Sequence, residues 1–332
     1  MTFRLVRLLE WAALAAVLGG CALPPKPTAW LFRAKLDREA RQVAERATKF
    51  VPAGVTTLAD IRYDEGDADA LLDVHYPSVI DQTGDVRTTI VWVHGGGWVS
   101  GSKDYLAPWL RTLAAQGYTV VGLDYSLSPE HRYPVPLRQV MTALSYLQRR
   151  GAALHVDATR IVIGGDSAGG HIAAQVGTVV TSPDYARDIG IAPTIAPSQL
   201  KAMLFTCGTF GFDGDFPFPY GYYVRTLLLS YFGSEDTKDD PFLKTVHVQA
   251  FMTSGFPRSF ITAGNDDPLE FQSRKLADRL SGLGVPIDTL FFAPDDRPQA
   301  QHEYQLELDS AKGRLAMTRI AAFLETLKDP GR

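Results

Sequence analysis

Cysteine is scarce in this chain: Cys21 and Cys207 are the two in 332 residues. So small a supply excludes a disulfide scaffold and a cysteine-rich zinc module. No block of like charge stands out either, since 33 Lys and Arg face 37 Asp and Glu for a formal net charge of -4. Without a basic face there is no counterion-releasing surface, and DNA and RNA are excluded as partners. No apolar run reaches the roughly 20 residues that cross a bilayer as a helix, and the N-terminal one, residues 11–18, falls far short. What remains is 45% hydrophobic and 21% charged. That is the make-up of a globular protein, long enough to bury about 75% of its unfolded surface without metals or cross-links.

The short apolar run has recognisable flanks. Arg4 and Arg7 precede it and the small pair Gly19 and Gly20 follows, which is signal-peptide anatomy over residues 1–20. Leu18-Gly19-Gly20-Cys21 resembles the bacterial lipobox, and the resemblance implies that Cys21 is lipidated and becomes the mature N-terminus. Ala22, in place of Asp, implies sorting to the outer membrane, facing the periplasm. The expected location is therefore the bacterial cell envelope, with the membrane reached through Cys21; an ordinary secretory signal is the alternative. Glu10 departs from the pattern. Residues 21–60 then read as a proline-stiffened tether at 24–27 and an amphipathic helix over 30–50. Asp37, Glu39 and Glu45 dilute its basic charge, so it is expected to pack on the main body. Cys207 lies in an apolar run and reads as a buried thiol.

Residues 61–332 form the main domain. Short β-branched runs at 71–76, 88–93, 119–123, 160–163, 201–205, 259–262 and 289–292 alternate with helical stretches. That alternation predicts a mostly parallel sheet covered on both faces, with functional groups at the carboxyl ends of the strands. Residues 210–232, dense in Phe, Tyr, Gly and Pro, are too long for a plain connection and predict a small lid-like insertion.

The run at 161–163 leads directly into Gly165-Asp166-Ser167-Ala168-Gly169 and then a helical stretch. A strand, Gly-x-Ser-x-Gly and a helix make the context of a nucleophile elbow, whose tight turn leaves no room for side chains at Gly165 and Gly169. A serine hydroxyl needs a base to take its proton and a carboxylate to orient that base. Three histidines follow Ser167. His171 is tied to the elbow's own helix and His247 precedes the acidic turn, which leaves His302 as the base. Asp266 and Asp267 follow the 259–262 strand; Asp267, held extended by Pro268, is preferred, and helix capping is the plainer task of the other. Gly95-Gly96-Gly97 after the 88–93 strand would supply backbone donors for an oxyanion, complementing the amide of Ala168. Asp166 reads as a structural hydrogen-bonder.

These residues resemble the hormone-sensitive-lipase-like branch of the α/β-hydrolase fold, marked by HGGG and GDSAGG. His94-Gly95-Gly96-Gly97-Trp98, the Asp124 to Glu130 stretch, the Gly165 to Gly170 motif, Asp267-Pro268-Leu269 and His302 occur in the family's order. The resemblance implies a serine carboxylesterase with Ser167 as nucleophile, His302 as base, Asp267 as its orienting acid and Gly96, Gly97 and Ala168 as amide donors. It also implies that Glu130 braces the oxyanion loop from behind. Glu270, after Leu269, departs from the family's usual run. The expected partner is a small ester substrate, with no metal and no organic cofactor: residues 302–306 lack the second histidine of a zinc-protease helix, and no phosphate-cradling glycine motif is present. Two alternatives stand beside this. One is an amidase or peptidase, formamidases included, using the same triad; the other is a non-catalytic envelope lipoprotein scaffold.

Overall fold

A computed structural model describes residues 25–212, 220–234, 237 and 239–327. The expected leader at 1–20, the proposed anchor Cys21, and residues 213–219 of the insertion lie outside the described residues. The strands, in chain order, are β1 (Val55–Arg62), β2 (Leu71–Pro77), β3 (Arg87–Val93), β4 (Thr119–Leu123), β5 (Val156–Asp166), β6 (Leu200–Thr206), β7 (Ser259–Thr262) and β8 (Ile287–Leu290). They form one sheet of order β1-β2-β4-β3-β5-β6-β7-β8. β2 pairs antiparallel with β1 and β4, and every later pairing is parallel.

Continuous apolar runs form the middle of this sheet because both of its faces are covered. Alternate side chains go to opposite sides. Val91, Val93, Ile161, Ile163 and Phe205 join one core cluster, while Ile90, Trp92, Val162 and Leu204 join the other. The helices that cover them are α1 (Pro25–Ala47), α2 (Lys103–Ala114), α3 (Val135–Arg150), α4 (Ser167–Thr181), α5 (Pro183–Ile189), α6 (Tyr220–Tyr231), α7 (Glu270–Gly282) and α8 (Ala311–Glu325). This is the mostly parallel, doubly covered sheet expected from the alternating pattern, and the α/β-hydrolase architecture that the family resemblance implies.

Three boundaries differ from expectation. The domain limit at residue 60 falls inside β1, so the sheet begins at Val55 rather than after residue 60. β1 is an edge strand whose residues are at best half-buried, and it carries no apolar run to reveal it. At the N-terminal side, Pro25 and Pro27 sit in the first turn of α1 instead of an extended tether. A helix's first turn needs no donor from its amides, so proline is tolerated there. The last strand is shifted two residues earlier, to Ile287–Leu290.

α1 does pack on the body. Ser100 donates to Asp37 at 2.6 Å, joining the helix to the loop that follows β3.

Candidate active site

The passage from β5 to α4 has no intervening loop, and Ser167 takes it with φ of +50°. For a serine this left-handed conformation is strained, and only close packing around it keeps it there. A Cβ on Gly169 would overlap the carbonyl oxygens of Val93 and His94, and one on Gly165 would strike the backbone of Gly169. Both positions therefore admit only glycine, and the serine stands at the carboxyl edge of the sheet.

The turn after β7 brings Asp267 to the same edge. Its Oδ1 accepts from the amide of Leu269 at 2.8 Å and from His302 Nδ1 at 2.9 Å. The other ring nitrogen, His302 Nε2, lies 2.9 Å from Ser167 Oγ. With Nδ1–H donating to the carboxylate, Nε2 is left to accept from the hydroxyl. Burial opposes a charge on His302, but the Asp267 charge and hydrogen bond, with Glu303 and Asp166 behind them, outweigh it and raise the ring to about 9. Asp266 points elsewhere, accepting from Gln301. His171 lies in the core, donating from Nε2 to the Val246 carbonyl at 2.9 Å, and burial lowers it to about 4. His247 accepts from the Phe212 amide at 3.3 Å, away from the serine.

Opposite the histidine, the loop after β3 carries the glycine triplet. Buried Asp166 pins it, accepting from the Gly95 amide at 2.8 Å and from the Trp92 indole at 2.7 Å. Tyr125 donates to the His94 carbonyl at 2.9 Å from the other side. Gly96 and Gly97 have φ of +103° and +62°, and neither amide donates to another described residue. The Ala168 amide sits in the first turn of α4, where helix donors have no intrahelical acceptor. Donors without protein acceptors beside a serine can take up negative charge on a substrate oxygen.

The stretch expected to be a lid-like insertion contributes α6, which covers this loop: a Cβ on Gly97 would meet the side chains of Leu227 and Tyr223. Phe32 of α1 packs edge-on against Tyr223, with ring centres 5.0 Å apart. Much of the insertion's aromatic density packs inward, however. Tyr231 stacks on Trp98 at 5.0 Å, and Phe212 and Phe232 close around the same indole.

Glu130 does not reach the oxyanion loop directly. Its carboxylate binds the Arg33 guanidinium at 2.6 Å and the Trp30 indole at 2.9 Å. Arg33 then donates to the Val99 and Ser128 carbonyls at 2.5 and 2.7 Å. The bracing expected of Glu130 runs through an arginine of α1 that motif reading passes over. Cys207 was expected to be buried and is; it also borders the site, with its sulfur within 4.8 Å of an Asp267 carboxylate oxygen and a His302 ring nitrogen. Burial pushes its thiol well up, so it stays protonated.

A doubly wound sheet with a strained serine where its central strand meets a helix defines a serine hydrolase. A family model described as alpha/beta hydrolase fold matches residues 90–294, and the chain belongs to that family. It is 30% identical over 235 residues to the carboxylesterase NlhH of Mycobacterium tuberculosis, a match spanning 69% of this chain and 70% of the relative. An acetyl esterase of Salmonella paratyphi B is 28% identical over 212 residues, 61% of this chain and 62% of that one. Among solved structures, esterase B of Lactobacillus rhamnosis inhibited by a tributyrin phosphonate covers 90% of this chain and 95% of its own, with a TM-score of 0.73 at 20% identity.

Proposed function

We propose that this protein is a carboxylesterase that works through an acyl-enzyme and is held at the bacterial cell envelope by a lipidated Cys21. The observation that carries the catalytic reading is one imidazole between Ser167 Oγ and Asp267 Oδ1, at 2.9 Å from each. In this reading Ser167 Oγ attacks the ester carbonyl carbon as its proton passes to His302 Nε2. The oxyanion that forms is received by the amides of Gly96, Gly97 and Ala168. Collapse breaks the carbon–oxygen bond to the alcohol, and His302 returns its proton to that leaving oxygen. Water then repeats the sequence on the acyl-serine, releasing the acid. Asp267 orients the ring and favours the imidazolium throughout.

Esters are preferred over amides on two grounds: the relatives that the chain matches are named as esterases, and one structural neighbour binds a phosphonate of an ester. The envelope reading rests on Arg4, Arg7, the run at 11–18 and the Gly19-Gly20-Cys21 junction. A panel of p-nitrophenyl esters of graded acyl length, beside matching p-nitroanilides, tests the activity. Faster turnover of the anilides overturns the ester reading.

A further inference from the structure

The residue after His302, Glu303, also has a left-handed backbone, with φ of +59°. A Cβ placed on Gly95 would meet Glu303 Oε1 at 2.7 Å and Asp166 Oδ2 closer still, so two carboxyl groups converge on the first glycine of the oxyanion loop. Each carboxyl acts directly on the other. Glu303 Oε1 also lies 3.9 Å from His302 Nε2, the nitrogen that faces Ser167. Two carboxyls in such contact cannot both ionise. Asp166 already accepts two N–H donors, from Gly95 and Trp92, which favour its charged form. The shared proton therefore belongs on Glu303.

We propose that Glu303 is a positioning residue for the hydrolytic reaction, its neutral carboxyl donating to Asp166 and so joining the His302 loop to the Gly95 end of the oxyanion loop. This rests on the triad reading above and deepens it. Burial and the Asp166 charge raise the Glu303 carboxyl to about 8, with His302 opposing and Asp267 adding to the rise. Tyr125, Tyr223 and Cys207 face it as well, each kept neutral by burial. His94 faces its partner Asp166.

His302 and Glu303 consequently titrate as a pair. With two protons the base is blocked; with none, Glu303 is a carboxylate beside the forming oxyanion and its bond to Asp166 is lost. The competent form holds one proton, on Glu303. Glutamine at this position keeps a neutral donor and cannot ionise. Alanine keeps neither property.

The test is steady-state hydrolysis of p-nitrophenyl acetate by the full chain across the neutral and alkaline range, with folding checked by circular dichroism. Wild type should give a bell-shaped profile of kcat/KM. Glu303→Gln should keep more than about a third of the wild-type kcat at its optimum and lose the alkaline fall, with no movement of its rising limb to lower pH. Glu303→Ala should lose about tenfold or more in kcat with KM within about threefold, the pattern of an interaction felt in the transition state. A Glu303→Gln profile that superimposes on wild type overturns the proposal, as does wild-type kcat in folded Glu303→Ala. Should the alanine variant fail to fold, the glutamine profile decides by itself. Ser167→Ala separates the two readings: residual activity in it overturns the triad, whereas an inactive Ser167→Ala beside an unaltered Glu303→Gln profile overturns this inference alone.

Discussion

Arg33 and Glu130 meet at 2.6 Å, and the same guanidinium reaches the carbonyls of Val99 and Ser128. One arginine thus fastens α1 to the oxyanion loop and to the turn before Glu130. Removing it leaves two carbonyls without a charged donor, at about 1.5–3 kcal/mol for each such bond at most. Glu130 is 44% exposed on its side chain, and an ion pair in that setting contributes about 0–1 kcal/mol. Arg33→Ala should therefore lower Tm and kcat more than Glu130→Ala does. Thermal melts and ester turnover of both variants check the ranking, and the reverse order would make Glu130 the primary brace.

Ser167→Ala should reduce ester turnover by about a million-fold with the fold intact, because the hydroxyl is the group that attacks. His302→Ala should be nearly as severe. Asp267→Asn should be milder, since the acid orients the ring and does not react, and Asp266→Asn should change little because Asp266 binds Gln301 and not the histidine. Single-turnover and steady-state rates of the four variants check this. Asp266→Asn proving worse than Asp267→Asn would mean the wrong carboxylate has been chosen.

The acid limb of the pH profile should lie above the ordinary histidine value of about 6.5, since His302 must be neutral to accept the serine proton and its surroundings raise it to about 9. Asp267→Asn removes the main charge behind that rise, so the limb of its residual activity should move to lower pH. The same shift acts on stability: a histidine raised on folding stabilises the native state fully below about pH 6.5, and that contribution disappears as pH climbs through the raised value. Profiles of kcat/KM for both proteins measure the displacement. An unmoved limb would mean that the titrating group is not His302.

Local chemistry accounts for what could be read in advance. Ser167 is legible because a β-branched strand, two obligatory glycines and a helix are contiguous. Asp267 and His302 are legible because each follows a strand and chain order narrows the choice. Arg33 is not: it lies 97 residues from Glu130, and nothing around it in the chain marks it. Glu303 is equally silent, since only the fold brings it, in the loop after β8, and Asp166, at the end of β5, together at Gly95. β1 was missed for a different reason. A half-exposed edge strand needs no apolar alternation, so it leaves no period to detect.

Gly169→Ala should destabilise the protein by about 1–3 kcal/mol or more, because the added methyl overlaps the carbonyl oxygens of Val93 and His94 and neither backbone can yield without moving the oxyanion loop. Gly190 offers the control for backbone strain. A Cβ there meets nothing, although φ is +65°, so Gly190→Ala should show only the smaller penalty of that conformation. Urea titrations of both variants compare the two effects. Equal losses would mean that close approach at the elbow is not what demands glycine.

Cys21→Ser should move the protein from the membrane pellet to the soluble fraction with its ester turnover unchanged. Each acyl methylene buried in a bilayer contributes roughly 0.8 kcal/mol, so a multiply acylated terminus stays anchored where one chain would exchange. Among the described residues no helix is long and apolar enough to cross a membrane. The competing surface is α1, where Trp30 and Leu31 are 48% and 47% exposed. That helix is engaged elsewhere, through Arg33, Asp37 and Phe32, and two exposed apolar side chains beside salt-bridged charges make a weak interfacial anchor. Fractionation of the serine variant decides between them. Retention in the pellet would move the anchor from Cys21 to α1, and release by an added Trp30→Ala/Leu31→Ala pair would then locate it.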